Sequence, residues 1–221
     1  MTIDFVTDYV CPYCLVAKEA LEQVVDELKL QDLEIVYHPL ELTPPEKEQV
    51  DTYHDAVRRE HYKVLEEPAK LVGLEGMQLP PHIIPRPRTR LAWEAWLFAC
   101  DHGRGSVWST CMYLAYFMHV ENIGDPEWLK RYARVLGMDP AELQKAWDEG
   151  RYTARLLEME KEAREKFDPQ GVPTIWCNGK RFKVEKYTRE EMTQQLQWAL
   201  GLGEENPEAQ DGASCGPDGC N

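Results

Sequence analysis

Positive charge is scarce in this chain. Lysine and arginine together number 25 against 39 aspartates and glutamates, a formal net charge of −14. An acidic surface repels phosphate backbones and anionic lipid headgroups, so nucleic acid and the membrane surface are excluded as expected partners. Long apolar runs are missing too: no window approaches the roughly 18 unbroken apolar residues of a spanning helix. The opening Met1-Thr2-Ile3-Asp4 has neither the basic segment nor the apolar core of a secretory signal, and the expected compartment is the cytosol. No internal repeat is present. Nor is there compositional bias, since 43% hydrophobic and 29% charged residues exclude collagen-like, coiled-coil and wholly disordered chains. A length of 221 residues suits one large domain, or a small domain carrying an insertion.

Cysteine, by contrast, is plentiful for the cytosol, where structural disulfides are kept reduced. The seven cysteines cannot all pair within the chain. Cys11 and Cys14 form a C-x-x-C near the start, and Cys215 and Cys220 a C-x4-C at the end. Cys100, Cys111 and Cys177 are scattered between them; the first two sit on highly apolar segments and read as core residues, and Cys177 reads as packed in a strand.

Residues 2–7 read as a strand, and Pro12 opens a helix whose apolar face runs through Cys14, Ala17, Leu21, Val24, Val25 and Leu28. Leu33 to Pro39 reads as a second strand, which makes the opening a βαβ unit with a parallel pair. A helical stretch is expected from about Pro45 to Phe167, broken by the proline-rich segment 79–87. Val50, Tyr53, Val57 and Val64 are expected to share one helical face there. Residues 88–102 and 106–120 are apolar on most sides and predict central helices. Asp125-Pro126 and Asp139-Pro140 each read as N-cap plus proline at N1. The chain then returns to strand at Val172–Cys177, turns at Asn178-Gly179, and pairs back through Arg181–Val184. A closing helix precedes a flexible tail that carries five acidic residues and no lysine or arginine.

A C-x-x-C at a helix N-terminus has a redox purpose. Unpaired amide groups and the positive helix end stabilise a thiolate on Cys11, while Cys14, one turn on, lies behind it as the resolving thiol. The same spacing forms half of many zinc sites, but no second Cys or His pair lies at finger-like spacing. His54 and His61, near Asp51 and Glu60, read as a solvated helix surface. Trp93, Trp96, Trp108, Met112, Tyr113, Phe117 and Met118 read mainly as core. Asp8 has two readings, a cap on the turn into the helix or a group that tunes the thiol. The tail cysteines read as a second redox pair, or as exposed thiols or a soft metal grip on the tail.

With these residues in place, the sequence resembles the DsbA-like thioredoxin-fold proteins, and within them the FrnE-like branch. The resemblance is carried by Asp8-Tyr9-Val10-Cys11-Pro12-Tyr13-Cys14, by Arg88-Thr89-Arg90-Leu91-Ala92-Trp93-Glu94-Ala95, and by Ala115-Tyr116-Phe117 with Ile123-Gly124-Asp125-Pro126. Gly171-Val172-Pro173-Thr174, Asn178-Gly179 and the tail Cys215–Cys220 complete it. It implies an α/β thioredoxin-like fold over residues 1–43 and 168–201, an all-helical insertion over 44–167, and a flexible acidic tail over 202–221. It further implies that Pro173 is a cis-proline facing the C-x-x-C. Val172, with Pro12, Tyr13 and Pro173, would then dock an extended substrate peptide through its backbone.

The implied activity is thiol–disulfide exchange on protein disulfides, of a reductase or isomerase kind, with Cys11 and Cys14 catalytic and Cys215 and Cys220 a candidate relay pair. No metal or organic cofactor is called for. Partners would be protein or peptide thiols and disulfides, with glutathione or a thioredoxin-type reductant. Pro12-Tyr13 stands where the strongly oxidising periplasmic members have Pro-His, and loss of that cation argues for a less oxidising couple. Two alternatives stand beside this reading. One is a glutathione-dependent transferase or isomerase of the kappa or 2-hydroxychromene-2-carboxylate type, against which Cys11 counts because those enzymes place serine there. The other is a redox-regulated or metal-sequestering binding protein that uses the tail.

Overall fold

The computed structural model describes residues 1–30, 32–202, 215–216 and 219–220, with the side chains at 61, 219 and 220 outside that description. Thr2–Thr7 form β1, which buries Ile3, Phe5 and Val6 completely. Helix α1 (Pro12–Glu27) follows, with proline in its first turn and an apolar face of Leu15, Val16, Ala20, Leu21 and Val24 turned inward. Strand β2 (Glu34–Pro39) pairs parallel with β1, Ile3 opposite Ile35 and Phe5 opposite Tyr37. After the insertion, β3 (Thr174–Cys177) lies antiparallel on the other side of β1, and β4 (Lys180–Arg181) pairs with β3. The sheet order is therefore β2-β1-β3-β4, which places β1 and the turn that leaves it at the centre. The turn between β3 and β4 is Asn178-Gly179, both at positive φ, as a two-residue hairpin with right-handed strand twist requires. Helix α9 (Arg189–Leu200) closes this layer beside α1, started by a reciprocal capping box between Thr188 and Glu191.

Between β2 and β3 the chain is helical: α2 (Ala56–Val64), α3 (Glu66–Leu71), α4 (Arg90–Asp101), α5 (Gly105–Phe117), α6 (Pro126–Val135), α7 (Pro140–Asp148) and α8 (Thr153–Phe167). Helix α4 packs against α5, α6, α7 and α8, which explains why its sequence is apolar on most sides. Asp125 and Asp139 cap α6 and α7 through their side chains, as their Asp-Pro signatures predict.

Three expectations are corrected. Helix does not begin near Pro45; residues 44–55 are turns, because Asp51 accepts the N–H groups of Tyr53 and His54 and holds a local loop. Val50, Tyr53, Val57 and Val64 do not share one helical face, since α2 begins at Ala56 and leaves Val50 and Tyr53 in the preceding loop. The return strand is shorter than Arg181–Val184, because the Lys183 N–H leaves the ladder to donate to Gln195 on α9. The tail's described residues form a small hairpin of β5 (Cys215–Gly216) and β6 (Gly219–Cys220); the flexibility expected of residues 203–214, 217, 218 and 221 lies outside the described residues. No helix among the described residues is long and apolar enough to cross a membrane.

Candidate functional site

The centre of the sheet delivers the C-x-x-C. After β1 the chain turns through Asp8, Tyr9 and Val10, and Cys11 becomes the N-cap of α1 with extended backbone angles. The Cys11 N–H donates to the Asp8 carbonyl (3.1 Å) and the Cys14 N–H to the Cys11 carbonyl (3.2 Å), which closes the turn. Among the described residues no side chain caps α1, so its first amides are left for the sulfur end of the helix. Cys11 and Cys14 are both free thiols with no solvent exposure. Burial pushes the Cys14 thiol well up, and the neighbouring Cys11 adds to that, so Cys14 stays protonated until something removes the proton.

The turn is clamped to the helical insertion. Tyr9 stacks on Trp93 of α4 at 3.7 Å and 15°, and its hydroxyl hydrogen-bonds Ser109 of α5 at 3.0 Å. Thr7 bonds the Tyr113 hydroxyl, and Trp93 Nε1 donates to Asp8 Oδ1 at 3.2 Å. The Asp8 side chain does not cap α1; its Oδ2 accepts the Leu42 N–H at 2.8 Å. Complete burial raises its carboxyl, with the hydrogen bonds from Leu42 and Trp93, the nearby Thr89 hydroxyl and the charge of Arg86 opposing.

Facing Cys11 is the loop before β3. The Val172–Pro173 bond is cis, and Thr174 Oγ1 braces the loop by donating to the Gly171 carbonyl at 2.8 Å. Cys11 Sγ lies 3.4 Å from the Val172 carbonyl oxygen. That same carbonyl accepts the Cys215 N–H at 2.8 Å, and the Val172 N–H donates to the Cys215 carbonyl at 2.8 Å. Cys215 is thus paired with Val172 as one residue of an antiparallel strand. It is fully buried and disulfide-bonded, its partner in backbone register is Cys220, and β6 lies against α2.

The structure therefore gathers Cys11, Cys14, Val172, Pro173 and Cys215 in one place; of Cys220 only the backbone is described. Pro12 and Tyr13 are buried and line a narrow recess with Val10, Arg58, Tyr62 and Arg86. Burial pushes the Tyr13 hydroxyl up to about 12. The 620 Å³ cleft along β2, lined in part by Trp96 and Cys100, includes neither Cys11 nor Cys14.

Cys177 is buried as expected, whereas Cys100 and Cys111 are half-buried at helix surfaces rather than fully in the core. Burial still pushes the Cys100 thiol up to about 11. His54 pairs with Asp51 at 2.8 Å on the surface, and the side chain of His61 lies outside the described residues. Among the described residues no group of three or more potential metal ligands is assembled.

Sequence reasoning missed several residues that support this site. Glu41 lies buried between Leu40 and Leu42, and Arg90 of α4 binds it. Arg86 is 1% exposed and donates twice to Thr43 Oγ1, at 3.2 and 2.8 Å. The available signals were a glutamate between two leucines and an arginine between Pro85 and Pro87.

Comparison with known proteins agrees with the architecture. A DSBA-like thioredoxin domain model matches residues 2–197. The Bacillus subtilis (strain 168) uncharacterised protein YwbO is 32% identical over 170 residues, covering 76% of this chain and 82% of its own. Among solved structures, a probable DsbA oxidoreductase from Streptomyces coelicolor superposes with a TM-score of 0.75 at 23% identity, over 100% of this chain and 98% of that one. The cytosolic disulfide reductase DsbM of Pseudomonas aeruginosa gives 0.67 at 16% identity, over 92% and 100% of the two chains. A 2-hydroxychromene-2-carboxylate isomerase gives 0.67 at 18% identity, over 91% and 95%. These likenesses in structure speak to fold, and the family match spans almost the whole sheet and its helical insertion: the chain belongs to the DSBA-like thioredoxin domain family.

Proposed function

We propose that this protein is a thiol–disulfide oxidoreductase that works through the Cys11–Cys14 dithiol on protein or peptide disulfides, with the tail cysteines as its relay. The observation that carries the reading is the Val172 carbonyl, which faces Cys11 Sγ at 3.4 Å while Val172 pairs as a strand with a disulfide-bonded cysteine. A disulfide presented in extended backbone beside a thiol is the arrangement thiol–disulfide exchange requires. The Cys11 thiolate attacks one sulfur of the disulfide, a mixed disulfide forms, and the other sulfur leaves as a thiolate. The Cys14 thiolate then attacks Cys11 Sγ, forming the Cys11–Cys14 disulfide and releasing the second thiolate. Two electrons pass from the dithiol to the partner, and a thiol reductant such as glutathione or a thioredoxin-type protein restores the dithiol. Asp8, buried where the turn begins, is the group that tunes this exchange. One structural neighbour, the Pseudomonas disulfide reductase, is known in complex with glutathione, in keeping with a small-thiol reductant.

The test is glutathione equilibration of Cys11–Cys14 in the full chain and in Cys215→Ser/Cys220→Ser. A potential near the cytosolic poise of about −220 to −260 mV is expected, and a value near about −120 mV would instead mean an oxidase. A Cys14→Ser variant should accumulate a mixed disulfide between Cys11 and a tail cysteine, visible by peptide mass spectrometry. Absence of any two-electron couple refutes the dithiol mechanism. Turnover of a glutathione conjugate that survives Cys11→Ser would favour the isomerase alternative.

A further inference from the structure

The cleft along β2 lies apart from the dithiol and plays no part in the exchange steps. Strand β2 is an edge strand, with β1 on one side and no strand on the other among the described residues. The Glu34 N–H donates to the Met1 carbonyl at 3.0 Å and the Leu40 N–H to the Thr7 carbonyl at 2.9 Å, so the even-numbered residues of β2 bond toward β1. The N–H and C=O groups of Ile35 and Tyr37, which alternate with them, therefore face outward along the cleft. Its volume of 620 Å³ lies within the roughly 300–1,000 Å³ of ligand clefts.

Another wall is built of donors. Helix α5 begins there at Gly105 and Ser106, and among the described residues no side chain caps it, so the amides of its first turn have no partner within the helix. Beside them lies Trp96 of α4, only 8% exposed, whose Nε1–H has no hydrogen-bond partner among the described residues. A buried donor of this kind calls for an acceptor. A Cβ on Gly105 would stand 2.4 Å from Cys100 Sγ and 3.4 Å from Trp96 Nε1, so the missing side chain is what lets α4 and α5 meet here. The rim is acidic. Asp26 of α1 and Glu34 of β2 are exposed carboxylates with no ion pair among the described residues, and Glu22 of α1, which Lys18 neutralises in part, adds a third. Among the described residues no lysine or arginine lines the cleft.

We propose that this cleft binds an extended, basic peptide segment of a partner protein, which adds to β2 as a fifth strand of the sheet. Alternate residues of the segment pair with the N–H and C=O groups of Ile35 and Tyr37, and the residues between them turn their carbonyls toward the α5 amides and the Trp96 Nε1–H. Lysine or arginine side chains of the segment meet Asp26 and Glu34. Charge decides the occupant. A second copy of this chain would bring its own Asp26 and Glu34 to the same rim, and is repelled. So is the chain's own segment 203–214, which carries Glu204, Glu205, Glu208 and Asp211 without a lysine or arginine. The segment binds away from Cys11 and needs no thiol chemistry, so the proposal stands independently of the dithiol reading.

The experiment titrates the full chain by calorimetry with an acetylated, amidated hexapeptide of alternating lysine and valine, as long as the six residues of β2, and follows amide hydrogen exchange by NMR. One-to-one binding with slowed exchange at the Ile35 and Tyr37 amides is expected. A probe of alternating lysine and proline keeps the charge and removes the strand, and one of alternating glutamate and valine reverses the charge. Each should bind roughly tenfold more weakly or worse. Ile35→Pro removes an outward N–H without breaking the ladder to β1 and should abolish binding. Should that variant fail to fold, Asp26→Lys with Glu34→Lys, both at exposed side chains, should weaken binding roughly tenfold or more. No binding of the lysine–valine probe, equal binding of either control probe, or unchanged affinity in these variants overturns the proposal. Slowed exchange at Val172 in place of Ile35 and Tyr37 overturns it too. So does protection of Ile35 and Tyr37 that depends on protein concentration without peptide, which would make a second copy the occupant.

Discussion

Trp93 of α4 links the C-x-x-C turn to the helices. It stacks on Tyr9, meets Trp96 edge-on at 5.5 Å and 89°, and donates its Nε1–H to Asp8 at 3.2 Å. Replacing it with phenylalanine preserves most of the aromatic volume but leaves a buried Asp8 oxygen without its donor. Trp93→Phe should therefore lose about 1–3 kcal/mol in urea unfolding, and it should slow thiol exchange as Asp8 relaxes; an unchanged midpoint would mean that Asp8 is satisfied by Leu42 alone. At this scale the sequence was informative about which residues matter and silent about why. The stretch from Arg88 to Ala95 stood out as a block, yet its side chains go to different partners: Arg88 to the carbonyls of Thr43, Pro44 and Lys47, Arg90 to Glu41, Trp93 to Asp8 and Glu94 to Thr153. Those partners lie tens of residues away, and no local pattern encodes them. Asp8 shows the same limit: its position before the helix suggested a cap, but the carboxyl turns inward to Leu42 and Trp93.

Elements with local signatures were legible, and those decided by distant contacts were not. Asp125-Pro126 and Asp139-Pro140 announce α6 and α7 because capping is settled within four residues. The parallel pairing of β1 and β2 follows from the strand–helix–strand order. The early end of β4 does not, since it depends on Gln195 of α9 reaching the Lys183 N–H. Thr188-x-x-Glu191 is a signature that was present but passed over, and it opens α9 with both halves of the capping box made. Thr188→Ala should cost about 0.5–2 kcal/mol in the same urea assay. Tyr187, one residue before this cap, lies 5.8 Å from the Tyr13 ring and beside Cys11 and Cys14, so thiol reactivity should change with it; an unchanged reactivity would show that the start of α9 does not bear on the dithiol.

For the molecule as a whole, the buried carboxyls make stability depend on pH in an unusual direction for an acidic protein. The Glu41 value in the folded state, about 8, lies above its ordinary 4.5, so its contribution is complete below about pH 4.5 and is lost as pH rises through 8. Glu41→Gln should therefore flatten the fall of Tm between pH 5 and pH 9; a parallel fall in both proteins would place the titration elsewhere. The pairing of β5 with Val172 has a different consequence. Because both belong to one chain, the docked strand would compete with a substrate peptide that used the Val172 edge, at an effective molarity of order millimolar for short connections. On the proposed reading, affinity for outside substrates is then a displacement, and their apparent KM includes the work of lifting the tail. A chain ending at residue 202 should bind a disulfide peptide several-fold more tightly in a titration of its Cys11→Ser form, so that the tail acts as a threshold that admits strongly binding partners and turns away weak ones; equal affinity in the full chain would show that the strand does not compete.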